Sequence, residues 1–415
     1  MEITSKFERV DIQKLIPYAR NARTHSKEQI LQLRASLREF GFVNPVIVDK
    51  ELNIIAGHGR IVAAKEEGIT EVPCVFAEHL TEAQKRAYII ADNRLAMNAG
   101  WDAEMLSVEL SDLQGAEFNI SILGFDDAEL NKLLSGMEDV KDDDFDVDAE
   151  LKEPPFTKLG DLWTLGRHRL VCGDSTKKDT FDLLMAGAKA NLVITDPPYN
   201  VNYEGTAGKI KNDNMGNDAF YHFLLDAFTN TEVVMAGDAS IYVFHADTEG
   251  LNFRRAFVDA GFYLSGCCIW KKQSLVLGRS PYQWQHEPVL YGWKKTGKHQ
   301  WYTGRKETTI WEFDKPKKNG EHPTMKPVPL LAYPIMNSSM SNTLVLDPFG
   351  GSGSTLIACE QSDRSCYTIE LDEKFCDVIV KRYIEQVGSA DKVSVQRDGL
   401  LYSYAEVSAS EDSHA

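Results

Sequence analysis

The sequence predicts an α/β protein, with a doubly wound sheet over residues 155–400 preceded by a smaller α+β domain. Three observations carry this. Beyond residue 155, short β-branched runs alternate with helical stretches, as strand–helix–strand units around a largely parallel sheet do. One such run, "NTLVLD", feeds into a glycine-rich turn and a helix, "PFGGSGSTLIACEQS". The acidic run "EDVKDDDFDVDAELKEPP" separates the halves, with nine acids against two lysines between Glu138 and Glu153.

In the front domain, residues 1–95, "NPVIVDK", "NIIAG" and "VPCVFAE" read as short strands. "HGRIVAAKEEG" reads as a helix ending at Gly68, and "TEAQKRAYIIADNRLA" as a helix opened by Thr81. Residues 96–154 read as a connector. It holds the helices "WDAEMLSVELSDL" and "DDAELNKLLSGM", the latter capped by Asp126 or Asp127, and then the acidic run. That run is too charged and too poor in apolar residues to pack, so a solvated linker is expected. In residues 155–400, "NLVITD" and "SIYVFHAD" are buried strands flanking the helix "DAFYHFLLDAFTNTEVVM". "NTLVLD", "STLIACEQS", "CYTIE" and "EKFCDVIVKRYIEQVG" continue the alternation. Residues 401–415 turn polar and are expected to be a flexible tail.

Composition bounds the function. No run of eighteen apolar residues occurs, so no membrane span is expected, and the charged N-terminus lacks a signal core. The seven cysteines form no CxxC pair, which points to reduced core thiols in a cytoplasmic protein and to no metal site. The net charge of −17 speaks against nucleic acid only as a total. Between Lys271 and Gly320 eleven Lys/Arg face four acids, interleaved with tryptophans, and salt confines each field to about 8–10 Å.

Two stretches carry chemistry. "ITDPPYNVNYEG" ends a strand in an acid followed by two prolines, which cannot donate to a ladder and which fix the backbone. "LVLDPFGGSGST" ends a strand in Asp347 before glycines that admit a ligand close to the backbone, and before a helix N-terminus. This is neither GxGxxG nor a P-loop. An acid entering the turn is wrong for a pyrophosphate and right for a cationic amine. The strand "CYTIELD" brings an acid, Glu370, to the place where ribose hydroxyls are gripped in such folds. Amine, ribose and close backbone approach together suggest S-adenosylmethionine.

With "TDPPY" upstream of "DPFGGSG", and with "LVCGDST", "EHPTMKP" and "CYTIELD" in place, residues 158–400 resemble the β group of amino-methylating DNA methyltransferases. The resemblance implies a Rossmann-like, S-adenosylmethionine-dependent methyltransferase sheet. Asp347, Phe349, Gly350, Gly351 and Gly353 would then line the methionine end of the cofactor, Glu370 would hold the ribose, and Asp174 would lie near the adenine. His322, Thr324 and Lys326 would enter a helix beside the cofactor. Asp196, Pro197, Pro198 and Tyr199 would be catalytic. The Asp196 carboxylate and Pro197 carbonyl would accept from the exocyclic amine, and Tyr199 would stack on a flipped base. An aspartate at the first position is usual for N6-adenine and a serine for N4-cytosine, so adenine is expected and N4-cytosine is the alternative.

The long polar loop after Tyr199 offers Lys209 and Lys211 to phosphates. Residues 271–320 would be the target-recognition region, with Arg279, Arg305 and Lys306 as its DNA contacts. "IIAGHGRIVAAKEEG" with "ADNRLA" resembles the ParB-like domain of partition proteins. That resemblance implies a nucleotide-phosphate site at Gly57, His58, Gly59 and Arg60, or an accessory DNA-contacting or dimerising domain. A nucleotide-regulated DNA-binding protein is therefore a rival reading. The expected partner is double-stranded DNA, with a homodimer as the assembly kept open. The expected setting is the cytoplasm of a bacterium, or a phage or prophage.

Overall fold

A computed structural model describes residues 6–19, 23–134, 140–201, 204–205, 208–209, 213–277, 281–304, 306–314 and 325–408. The chain divides into two compact units, Met1–Gly136 and Met137–Ala415.

The first unit contains β1 (Phe7–Asp11), α1 (Lys27–Phe40), β2 (Val46–Val48), β3 (Ile54–Ala56), α2 (His58–Glu66), β4 (Glu71–Phe76), α3 (Glu82–Ala96), α4 (Ala103–Gly115) and α5 (Asp127–Leu134). Its sheet runs β1-β4-β2-β3, and Val46, Val48, Ile61, Ala64, Val72 and Cys74 fill the core. Local chemistry starts the helices. The Ser26 hydroxyl accepts from Gln29 N at 3.1 Å to open α1, and Thr81 forms a reciprocal capping box with Gln84 at α3. The helical half of the expected connector belongs to this unit. Phe118, beyond α4, stacks on Phe40 of α1 with centroids 6.1 Å apart, and Gln32 donates to the Gly124 carbonyl at 3.4 Å.

The second unit contains α6 (Val147–Glu150), β5 (Leu162–Leu165), β6 (His168–Cys172), α7 (Lys178–Met185), β7 (Ala190–Thr195), the short pair β8 (Glu204–Gly205) and β9 (Gly208–Lys209), α8 (Asn217–Val234), β10 (Met235–Phe244) and α9 (Gly250–Asp259). There follow β11 (Phe262–Val276), β12 (Trp284–Lys294), β13 (Ile310–Glu312), α10 (Val328–Ser338), β14 (Leu344–Asp347), α11 (Ser354–Gln361), β15 (Ser365–Glu370), α12 (Glu373–Val387), β16 (Val393–Arg397), β17 (Leu400–Ser403) and α13 (Tyr404–Ser408). The described strands other than β8 and β9 form one mixed sheet in the order β13-β11-β12-β10-β7-β14-β15-β6-β5-β16-β17. The stretch from β10 to β6 is parallel, and Leu192, Val193, Ile194, Val345 and Leu346 are fully buried between helices on both faces. In register, Leu346 faces Val193 on one side and Tyr367 on the other, so β7, β14 and β15 end side by side.

Two expectations are corrected here. The acidic run is not a solvated linker: Phe145, Val147 and Leu151 are buried against Met325 and Val378. Its acids are also used. Asp142 accepts from Val328 N at 2.7 Å at the head of α10, Asp143 pairs with Arg382 at 2.8 Å, and Glu150 pairs with Lys381. Average composition hid three apolar residues spaced among charges that meet cations elsewhere in the chain. Nor is the whole stretch after residue 400 a flexible tail. Leu401–Ser403 pair with β16, Tyr404 packs edge-on to Phe156 at 5.8 Å, and Val407 is buried. Backbone pairing at a sheet edge needs no apolar composition; residues 409–415 lie outside the described residues.

Among the described residues, no helix is long and apolar enough to cross a membrane.

Candidate active site

The site grows from the adjacent ends of β7 and β14. Asp196 follows the last residue of β7, and Pro197 and Pro198 stop the ladder at that point. Asp347 is the last residue of β14, and the Thr195 hydroxyl donates to its Oδ1 at 2.9 Å. One hydrogen bond between neighbouring strand ends therefore ties the proline turn to the glycine turn.

Around Asp196 lies a compact ionic cluster. Lys326 Nζ is 2.5 Å from Asp196 Oδ2, and the Tyr199 hydroxyl is 2.6 Å from Asp196 Oδ1. Glu287 of β12 completes it: its Oε2 lies 3.1 Å from both Lys326 Nζ and Tyr199 Oη, while its Oε1 pairs with Lys272 at 2.6 Å. Two acids face two lysines, the arrangement that keeps partly buried charges tolerable. The lysines are shared unequally. At Glu287 burial works upward, yet Lys326 and Lys272 together hold its carboxyl at about 2. At Asp196 burial raises the value and the Glu287 charge adds to the rise, while Lys326 and the Tyr199 hydroxyl oppose it. Burial and the two carboxylates push the Tyr199 phenol well up, so it remains a donor. Asp196 keeps 29% of its side chain exposed, against 8% for Lys326, so the carboxylate is the accessible face of the cluster.

The second cluster surrounds the glycine turn. Asp347 Oδ1 also accepts from Phe349 N at 3.1 Å, and Glu370 accepts from Gly351 N and Asp372 N, each at 2.8 Å. Burial raises both carboxyls to about 7, against the hydrogen bonds they accept. Gly350 has no room for a side chain: a Cβ there would sit 2.5 Å from Thr368 Oγ1 and 3.1 Å from Ile379 Cδ1. Gly353 opens α11 at φ +84°, a left-handed conformation that favours glycine, with Ile379 3.0 Å from the Cβ position. Asp174 accepts from Thr176 N and Oγ1 in its own turn, and neighbouring Ser175 donates to the Pro348 carbonyl, which brings this turn beside the glycine turn.

The structure thus brings together Asp196–Tyr199 in one cluster, and Asp174, Asp347, Phe349, Gly350, Gly351, Gly353 and Glu370 in the other. Lys326 is the exception among the residues expected beside the cofactor. It reaches Asp196 because Pro327 and the head of α10 direct it toward the two carboxylates of β7 and β12. His322, Thr324, Lys211, Arg279 and Arg305 lie outside the described residues, as does the side chain of Lys209; Lys306 is exposed. Of the basic stretch, Lys271, Lys272 and Lys294 are spent on ion pairs, and Trp311 is buried, while Trp284 and Trp301 remain exposed. Glu287, Lys272 and Thr195 escaped the sequence reading. The signal for Glu287 was an acid entering the apolar strand "PVLYGW", the mirror of Asp196 leaving "LVIT".

In the first unit, Gly57, His58, Gly59 and Arg60 line a cavity of about 200 Å³ together with Arg23 and His25. Gly57 is left-handed at φ 101°, and Arg60 donates to the Asn44 carbonyl at 2.5 Å. Among the described residues no group of three or more His, Cys, Asp or Glu is placed to hold a metal ion.

Three family models match the chain. Residues 190–381 match the DNA methylase model of the N6/N4 group, residues 104–159 the ParB-methyltransferase HTH domain, and residues 2–93 the ParB N-terminal domain. The ParB-like nuclease domain-containing protein YnaK of Escherichia coli K12 is 49% identical over 75 residues, which is 18% of this chain and 86% of YnaK. The type II methyltransferase M.HpaI of Haemophilus parainfluenzae is 24% identical over 251 residues, which is 54% of this chain and 77% of that enzyme. The crystal structure of the M1.HpyAVI–SAM complex aligns at 22% identity and a TM-score of 0.41, covering 51% of this chain and 98% of that one.

Proposed function

Because this chain belongs to the N6/N4 DNA methylase family and carries a ParB N-terminal domain ahead of the methylase, we propose that it methylates the N6 amine of adenine in double-stranded DNA, using S-adenosylmethionine on a base turned out of the duplex. The observation that carries the reading is the meeting of two unlike sites at the carboxyl ends of two neighbouring central strands: an acceptor cluster at Asp196 joined through Thr195 to an acidic, glycine-lined turn at Asp347. The aspartate at the first position of the tetrapeptide supports adenine over cytosine.

The residues at the turn fit this cofactor. Asp347 suits its ammonium group, Glu370 its ribose hydroxyls, and the bare backbone at Gly350 and Gly353 permits close approach. When bound, S-adenosylmethionine supplies an activated methyl group on a sulfonium. The chain's own residues prepare the acceptor. Asp196 and the Pro197 carbonyl accept the two amine N–H bonds, which favours a pyramidal nitrogen and stabilises the positive charge that grows on it. The surplus proton of the methylated amine would leave along its hydrogen bond to Asp196, while Asp347 and Glu370 would hold the methyl donor in place. Tyr199 turns its ring to stack on the extruded base, a contact worth about 1–3 kcal/mol that offsets the cost of unstacking.

Lys209, Lys211, Arg279, Arg305 and Lys306 are assigned to DNA phosphates and base edges. The cavity at the head of α2 is assigned to a phosphate-bearing nucleotide, supported by the positive ends of α2, Arg23 and Arg60; calorimetric titration with nucleoside triphosphates tests it. Methylation-sensitive sequencing of DNA from a host expressing the chain tests the main reading. N6-methyladenine within a fixed short sequence is expected. N4-methylcytosine would overturn the choice of base, and unmodified DNA would overturn the activity.

A further inference from the structure

Lys326 has three N–H donors, and three oxygens surround it: Asp196 Oδ2 at 2.5 Å, Glu287 Oε2 at 3.1 Å and Tyr199 Oη at 3.1 Å. The ammonium lies 5.2 Å from the Phe244 ring centroid and is paired with Glu287, which is itself held by Lys272. It is therefore a fixed donor set directly beside the more accessible of the two carboxylates. A cation placed merely to neutralise Asp196 would need neither the second carboxylate nor the second lysine.

We propose that Lys326 is a specificity-determining residue, whose ammonium donates to the ring nitrogen next to the target amine while Asp196 accepts from the amine itself. The proposal rests on the methylase reading above and adds to it how the base edge is recognised. In adenine and cytosine the carbon bearing the amine also bears an unprotonated ring nitrogen, so the edge presents a donor beside an acceptor. Asp196 and Lys326 present the complementary acceptor and donor on neighbouring positions. Thymine and guanine reverse the edge: a carbonyl oxygen would face the carboxylate, and a ring N–H would face the ammonium. The third N–H of Lys326 becomes available when Tyr199 swings its hydroxyl away to stack. Glu287 is the positioning residue, because it keeps the ammonium from collapsing fully onto Asp196.

The test uses the full chain and duplex DNA of the sequence found by methylation mapping, with the target adenine either intact or replaced by 1-deazaadenine. The analogue keeps the amine and has C–H in place of the ring nitrogen; 3-deazacytosine serves if the mapped base is cytosine. Wild-type kcat/KM should fall about tenfold or more on the analogue, as for loss of a hydrogen bond to a charged group. Lys326→Met should be slow on adenine, bind S-adenosylmethionine with unchanged Kd, and show no further loss on the analogue. An equal fold-loss in wild type and Lys326→Met would overturn the proposal while leaving the methylase reading intact; absence of wild-type turnover on normal DNA would instead overturn that reading. Should the methionine variant fail to fold, Lys326→Arg decides. Its displaced, forked donors should change the analogue-to-adenine ratio, and a ratio equal to that of wild type would overturn the proposal.

Discussion

Thr195 and Asp347, 152 residues apart in the chain, meet through a 2.9 Å hydrogen bond at the ends of neighbouring parallel strands. This bond supports a carboxylate that burial has already made reluctant to ionise. Thr195→Val keeps the shape and removes the donor. Cofactor affinity should fall roughly 10- to 100-fold, the range for a hydrogen bond to a charged group, with the melting temperature little changed. Calorimetry on folded protein checks this, and an unchanged Kd would detach Thr195 from the site.

Asp196→Ala removes both acceptor oxygens, so the amine loses its side-chain acceptor. Turnover should drop by about a hundredfold or more while S-adenosylmethionine binding persists. Single-turnover methylation measured beside calorimetry separates the two effects. Retained turnover would remove Asp196 from the chemistry.

Asp347 and Glu370 predict a pH dependence. Burial raises each to about 7 from ordinary values near 4, so the folded chain holds their protons more tightly than the unfolded chain. Their contribution to stability is complete below the ordinary carboxylate range and is lost as pH rises through about 7. The ligand-free protein should accordingly melt lower at about pH 8 than at about pH 6. Cofactor affinity should move the opposite way, since the ammonium and ribose call for charged carboxylates. Paired thermal melts and titrations across that interval check both signs.

Gly350→Ala places a methyl 2.5 Å from Thr368 Oγ1, whose buried hydroxyl has no hydrogen-bond partner among the described residues. Overpacking of this kind costs about 1–3 kcal/mol. Cofactor binding should weaken as the turn shifts. Adding Thr368→Ala removes the clashing atom and should restore part of the stability, which denaturant melts of the single and double variants would show.

Phe145→Ala tests the acidic segment. As a solvated linker it would tolerate the change; as a packed strap over Met325 and Val378 it should lose about 3–5 kcal/mol. The midpoint of urea unfolding for the second unit reads the difference.

Much of this protein is legible along the chain. The parallel strands announce themselves because burial on both faces demands continuous apolar runs such as "LVIT" and "LVL", and helices such as α3 begin where a side chain caps their free N–H groups. Both functional turns are equally local. Prolines that cannot extend a ladder and glycines that admit no Cβ are chemical facts about single positions, and they point to Asp196 and Asp347 without any fold.

Tertiary structure alone decided who meets whom. Lys326 was expected beside the cofactor and stands 130 residues from Asp196, which it contacts; Arg382 stands 239 residues from Asp143. Nothing local distinguishes a lysine that will face one carboxylate from a lysine that will face another, because an ion pair depends on distance and shielding from water rather than on sequence neighbours. The same reason hid Glu287 and the packing of the acidic segment. Residue type supplied the chemistry available at each strand end, and the order in which the sheet assembled its strands chose which of those chemistries would share a site.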